Sequence, residues 1–288
     1  MKYRLLNWFF YGHLQIALAA AALGWVSLRQ GGYGELRGEV LVVLAFLFLS
    51  TLSIYTLHRM LSFRRAGQRP QSRRYNLVAV HPGSSFAVGV ISGLGASIIG
   101  LRLLPAIWPI LLVAVLVTVY YLTPPVPGWR RLRDLPYFKA VWVALAWTLM
   151  THVLPIRVTG ELLTATTPSS NSIYCAEMVV RFLFTGSVAV LFDFRDVVLD
   201  RSQGVRTIAG DYPVAAKWIV VLAIVICCAL SGWMAMTGEG IPPALALAYL
   251  PVLPVTVWTD ERRPEDWFAV VVNGTLWGPG IVSLLSGF

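Results

Sequence analysis

The chain is poor in charge, and poorest in acid. Only 13% of its 288 residues are charged, against roughly a quarter in a soluble domain. None of the 14 Asp and Glu residues falls between Glu39 and Asp134. Cysteine is scarce as well. Cys175, Cys227 and Cys228 all sit inside apolar runs, which excludes a disulfide framework and gives no metal-ligand spacing. The first apolar run lacks a small-residue cleavage site before the next polar loop, so no cleavable signal peptide is expected. Connections between the apolar runs are too short to hold a soluble domain.

What is abundant is apolar sequence. The chain is 57% hydrophobic with mean hydropathy +0.69, which predicts an all-α integral membrane protein. Nine stretches are long enough to cross a bilayer: 7–28, 39–61, 83–101, 103–122, 137–154, 173–192, 214–236, 241–258 and 268–286. They predict one transmembrane domain covering residues 1–288. The third is rich in glycine, which permits close helix contact. The eighth contains Pro242, Pro243, Pro251 and Pro254, and kinks are expected there. The Asn273 sequon lies inside the ninth apolar run and reads as chance.

Nine crossings place the N-terminus on the same side as the loops after spans two, four, six and eight. That side takes most of the Lys and Arg, whereas the other holds only Arg29, Arg37, Arg102 and Arg157. The positive-inside bias then makes the N-terminus and the basic loops cytoplasmic, with a prokaryotic inner membrane as the expected location. The net charge of +9 is thus a surface facing anionic lipid, and nucleic acid is not implied.

The sixth run leads into Asp193-Phe-Arg-Asp196-Val-Val-Leu-Asp200-Arg-Ser-Gln-Gly204-Val-Arg206-Thr207. Carboxylates at i, i+3 and i+7 share one face of a helix and repel unless a cation lies between them. Hard ions such as Mg²⁺ are held by carboxylate oxygens together with substrate phosphates. The plainer reading is a solvated acidic helix end at a membrane surface. Against it, Arg195, Arg201 and Arg206 add phosphate-type donors to the same short segment. The end of span two adds Ser53, Tyr55, His58 and Arg59, its loop closes on Arg69-Pro70, and the start of span five adds Tyr137, Lys139 and Trp142. Carboxylates and cations opening onto an aromatic-rich apolar bundle suit an amphiphile with a phosphate head and a hydrocarbon tail.

The pattern Asp193-x-x-Asp196-x-x-x-Asp200-x-x-x-Gly204-x-Arg206-Thr207 resembles the second aspartate-rich motif of the UbiA superfamily of membrane prenyltransferases. Arg69-Pro70 is similar to the Arg-Pro closing that family's first aspartate-rich loop. Leu135-Pro-Tyr-Phe-Lys139 resembles its Tyr-x-x-x-Lys motif, with Leu135 where tyrosine is expected. The resemblance implies a nine-helix bundle around a lipid-accessible cavity that binds Mg²⁺ and an isoprenyl diphosphate and transfers the prenyl group to a lipophilic or aromatic acceptor. Asp193, Asp196, Asp200 and Lys139 would be catalytic, the three aspartates holding the metal. Ser53 stands about where the family's first motif has an asparagine, and that motif's acids are absent. His58, Arg59 and Arg69 are therefore expected to bind the diphosphate directly, with Ser53, Tyr55, Tyr137, Arg201 and Arg206 lining the substrate site.

Other readings stay open. Capture of the allyl cation by the substrate's own double bond would make the protein a terpene cyclase. A non-catalytic lipid-binding protein or a transporter is the third reading, although the halves show no internal similarity. Glu177 and Arg181, at i and i+4 inside span six, are expected to pair structurally.

Overall fold

The computed structural model describes residues 2–33, 38–65, 73–124, 126, 128–162, 171–237 and 241–286. Among them every regular element is helical. α1 (Lys2–Tyr11) and α2 (Leu14–Gln30) meet at 54° across Gly12 and His13. α3 (Gly38–Arg65), α4 (Arg73–Val80) and α5 (Pro82–Leu122) follow. α6 (Lys139–Thr148) continues through a π-helical turn, Leu149–Val153, into α7 (Leu154–Leu162). The chain ends with α8 (Asn171–Ser202), the short α9 (Ile208–Asp211), α10 (Pro213–Met236), α11 (Ala244–Leu247), α12 (Val252–Trp258), a second π turn (Trp267–Val272) and α13 (Gly278–Leu285).

Among the described residues six helices are long and apolar enough to cross a membrane, seven if α1 and α2 count as one bent span. The protein is thus an all-α chain of membrane-spanning character. The expected spans at 83–101 and 103–122 form the single helix α5, because Arg102 interrupts the apolar run without supplying turn residues. Arg102 instead reaches Glu39 at 3.4 Å. The expected span at 241–258 is divided into α11 and α12, neither long enough to cross, where its prolines remove backbone donors.

α5 is not a straight rod. Ser53 Oγ donates to the Gly89 carbonyl at 2.8 Å, which fixes residue 89 beside the Ser53–Tyr55 turn of α3. Thirty-two residues on, a straight helix would lie about 48 Å away. Tyr121 is nevertheless within electrostatic reach of Tyr55 and of Lys139. Phe46, Ala96, Gly100 and Leu111 also line one hollow. α5 therefore folds back on itself, and Pro105 and Pro109 fall in the bend.

Two large packed clusters hold the bundle, and a small third one, Met60, Phe63, Tyr75 and Val78, ties α4 to α3. One joins α2 to α8, α10 and the C-terminal helices through Leu23, Phe184, Leu191, Ile224 and Phe268. The other joins α2 to α3, α5 and α7 through Trp25, Leu28, Leu47, Leu103 and Leu154. Lipid is as apolar as these side chains, so close packing rather than escape from water favours their association. Gly89 and Gly93 show how close the packing is: a Cβ at either would come within 2.8 Å of Leu57 or Ser53.

Candidate functional site

α8 places the acidic triad. Its apolar N-terminal turns pack in the first cluster, and the same helix carries Asp193, Asp196 and Asp200 on one face of its last turns. Gly204 ends it. With φ +68, Gly204 adopts the left-handed conformation that closes a helix, and the Val205 N–H returns to the Asp200 carbonyl at 2.9 Å. Thr207 then accepts from the Gly210 N–H at 3.1 Å and starts α9.

The triad closes on a lysine. Lys139, the first residue of α6, places its ammonium 3.0 Å from Asp193 Oδ1, 2.6 Å from Asp200 Oδ2 and 3.7 Å from Asp196 Oδ2. Lys139 is 7% exposed, Asp193 5% and Asp200 1%. Arg195 donates to Asp196 through Nε and Nη2, both at 3.0 Å. Arg133, from a 3-10 turn at Leu132–Asp134, lies 3.5 Å from Asp200 Oδ1. Three acids face three bases in a neutral set, which is what keeps buried charge tolerable.

This arrangement bears directly on the Mg²⁺ that the sequence predicts on Asp193, Asp196 and Asp200. Five of the six triad oxygens meet an ammonium or guanidinium. Among the described residues, no group of three His, Cys, Asp or Glu is placed to hold a metal ion. A Mg²⁺ held by all three carboxylates does not fit this geometry, since its position belongs to Lys139 Nζ.

An aromatic wall lies beside the cluster. Trp147, two turns along α6 from Lys139, donates its indole N–H to the Tyr55 hydroxyl at 3.1 Å. Tyr121, at the end of α5, lies under the Arg133 guanidinium at 5.8 Å and within electrostatic reach of Lys139, Asp193 and Asp196. His13 completes this wall. It sits at the break between α1 and α2 with φ +66, is 6% exposed, and packs against Tyr55 at 6.0 Å. Its Nδ1 lies 3.4 Å from Thr56 Oγ1, and its buried Nε2 has no hydrogen-bond partner. Arg59, His58 and Arg195 are its titratable neighbours.

Of the predicted site residues, Asp193, Asp196, Asp200 and Lys139 come together in one cluster. Tyr55, His58 and Arg59 flank it around His13. Ser53 is turned away to the α5 backbone. Tyr137, Arg206 and Arg201 form a lock between loops. Tyr137 OH and Arg206 Nε both donate to Asp211 Oδ2, at 3.0 and 2.8 Å, and Arg201 Nη2 donates to the Gly210 carbonyl at 2.6 Å. The hydrogen bond from Arg206 holds the Asp211 carboxyl below its ordinary range. Arg69 lies outside the described residues. Trp142 packs on Phe138.

His13, Tyr121, Arg133 and Trp147 are absent from the sequence prediction. A lone histidine in an apolar first run was a signal for His13, because ionisable groups are costly in membrane. Trp147 follows Trp142 in the aromatic-rich start of span five and Arg133 is one of the basic-side residues, whereas nothing in the sequence marked Tyr121. Deeper in the bundle, Arg181 donates to the Leu23 carbonyl at 2.8 Å, to Ser27 Oγ at 3.0 Å and to Thr151 Oγ1 at 3.3 Å, with Glu177 within electrostatic reach. Besides that intrahelical neighbour, it bolts α8 to α2 and to the π turn.

Comparison of the chain with protein-family models, with curated proteins and with solved structures finds no match.

Proposed function

We propose that this protein is a membrane-embedded transferase, of UbiA type, that moves an isoprenyl group from a prenyl diphosphate to a lipophilic or aromatic acceptor. One juxtaposition carries the reading: the Lys139 ammonium, held by three carboxylates, lies within electrostatic reach of Tyr121, which in turn is within reach of Tyr55 and its partner Trp147. The cations suit a diphosphate, and the rings suit the prenyl fragment that leaves it. The fold-back of α5 supports two crossings in this part of the chain, since its two limbs correspond to the third and fourth expected spans.

In this reading Lys139, Arg59, His58 and Arg195 neutralise the departing diphosphate as the allylic C–O bond breaks and its electron pair stays on oxygen. The aromatic faces stabilise the resulting allyl cation, and the apolar bundle keeps water from it. A nucleophilic carbon or oxygen of the acceptor forms the new bond and loses a proton.

The test is incubation of purified protein in lipid with labelled prenyl diphosphates, following pyrophosphate release. Release that requires an acceptor supports transfer. Release without one makes the protein a cyclase or hydrolase, and no release with any prenyl chain length overturns the proposal.

A further inference from the structure

We infer that Lys139 is the resident cation of the acidic triad, so that an anionic head group binds to this cluster without a divalent ion on Asp193, Asp196 and Asp200. The inference rests on side-chain positions and charge balance; its metal half holds whatever group the protein transfers.

Lys139 Nζ is shared by all three acids at 2.6, 3.0 and 3.7 Å, the geometry of a central cation with carboxylate ligands. Its stem emerges at the start of α6, where Tyr137 N–H bonds to the Arg206 carbonyl at 2.9 Å. That bond anchors the residues before Lys139 to the loop that follows the triad. Arg195 grips Asp196 through both oxygens, and Arg133 approaches the far oxygen of Asp200. A divalent ion entering here would bring two positive charges into a set that is already neutral. It would also have to expel a buried ammonium from its three partners, and each of those pairings is strong only while it is complete.

The role of the acids follows from this. They hold Lys139, Arg133 and Arg195 in fixed places, as counter-ions hold cations in a preorganised site. Arg59, next to His58 on α3, adds a further cation near His13, which shares Arg195 as a neighbour. A phosphate-bearing head group entering between α3 and α8 would meet positive charge on both sides, with the carboxylates behind it.

Two measurements on the full chain in lipid nanodiscs test this. In the first, Mn²⁺ alone is titrated and followed by electron paramagnetic resonance. Wild type is expected to show no site dependent on Asp200, whereas Lys139→Ala should gain a single Mn²⁺ site that Asp200→Asn in the same background removes, because oxygen-rich acidic pockets take hard ions. In the second, inorganic pyrophosphate is titrated in excess chelator. Wild type should bind, and Lys139→Ala should bind about ten-fold more weakly. A Mn²⁺ site in wild type that Asp200→Asn abolishes would overturn the inference. So would pyrophosphate binding that vanishes in chelator and returns with Mn²⁺. If Lys139→Ala fails to fold, the wild-type titrations decide alone. Absence of pyrophosphate binding under every condition overturns the anion-binding half together with the proposed function, while the Mn²⁺ titration still decides which cation the triad holds.

Discussion

The Tyr55 hydroxyl and the Trp147 indole N–H are 92 residues apart in sequence and 3.1 Å apart in space, and their hydrogen bond ties α3 to α6. Tyr55→Phe removes the acceptor of this part-buried indole N–H. The expected cost is about 1 kcal/mol, at the lower end of the range for lost buried hydrogen bonds because membrane interiors offer alternative partners. Trp147→Phe in the Tyr55→Phe background should cost less than it does in wild type. Thermal unfolding midpoints in one detergent for the four proteins of the cycle measure this coupling. Additive shifts would mean the bond contributes nothing.

Removing one member of the neutral cluster is expected to be worse than removing a matched pair. Asp200→Asn alone leaves Lys139 and Arg133 short of a counter-charge at a site 1% exposed. A loss of about 3–5 kcal/mol is typical for such a change. Combining it with Lys139→Met should cost less than the sum of the two single changes, and chemical denaturation of all three variants reads the difference.

The lock around Asp211 responds to pH in a definite direction. Its carboxyl sits below the ordinary range because Arg206 donates a hydrogen bond to it. A depressed carboxyl adds stability above its unfolded value, roughly pH 4, and that contribution is lost as pH falls through the lower folded value. The gap in thermal midpoint between wild type and Asp211→Asn should therefore narrow steadily below about pH 4. A gap that stays constant down to pH 3 would show that the charge on Asp211 is irrelevant.

α5 makes a topological prediction. With Cys175, Cys227 and Cys228 replaced by serine, single cysteines at Val80, Arg102 and Trp129 can be labelled with a membrane-impermeant thiol reagent; all three positions are exposed. Val80→Cys and Trp129→Cys should react from one side and Arg102→Cys from the other. Opposite-side labelling of the first and last would show that α5 crosses once.

His13 sets a strained backbone beside the proposed site. A non-glycine residue at φ +66 costs on the order of 1 kcal/mol. His13→Gly is therefore expected to keep or slightly raise the unfolding midpoint, while weakening pyrophosphate binding about three-fold or more through loss of the imidazole. Equal binding in both proteins would confine His13 to a structural role.

How far the sequence could be read follows from where information resides in a helix. The i, i+3, i+7 spacing of Asp193, Asp196 and Asp200 is a property of α8 alone, so their common face was legible. Their meeting with Lys139 was legible only through the motif resemblance. Ser53 faces the Gly89 carbonyl because of the rotational setting of α3 against α5, which no single-helix pattern records. Arg201 and Arg206 read as phosphate ligands; what the sequence did not record is that the left-handed Gly204 turns the chain after α8, so that Arg201 meets the Gly210 carbonyl and Arg206 the Asp211 carboxylate. Tyr121 was hidden for a similar reason. Only the fold-back of α5 brings it to the acids.

Leu23 and Val26 of α2 belong to one packed cluster while Trp25 and Leu28 of the same helix belong to the other. A single rod is thereby mortared into both walls of the building. Rocking one cluster against the other would tear α2 from one of them, so movement that leaves both intact is confined to the ends of the helices and the loops that join them.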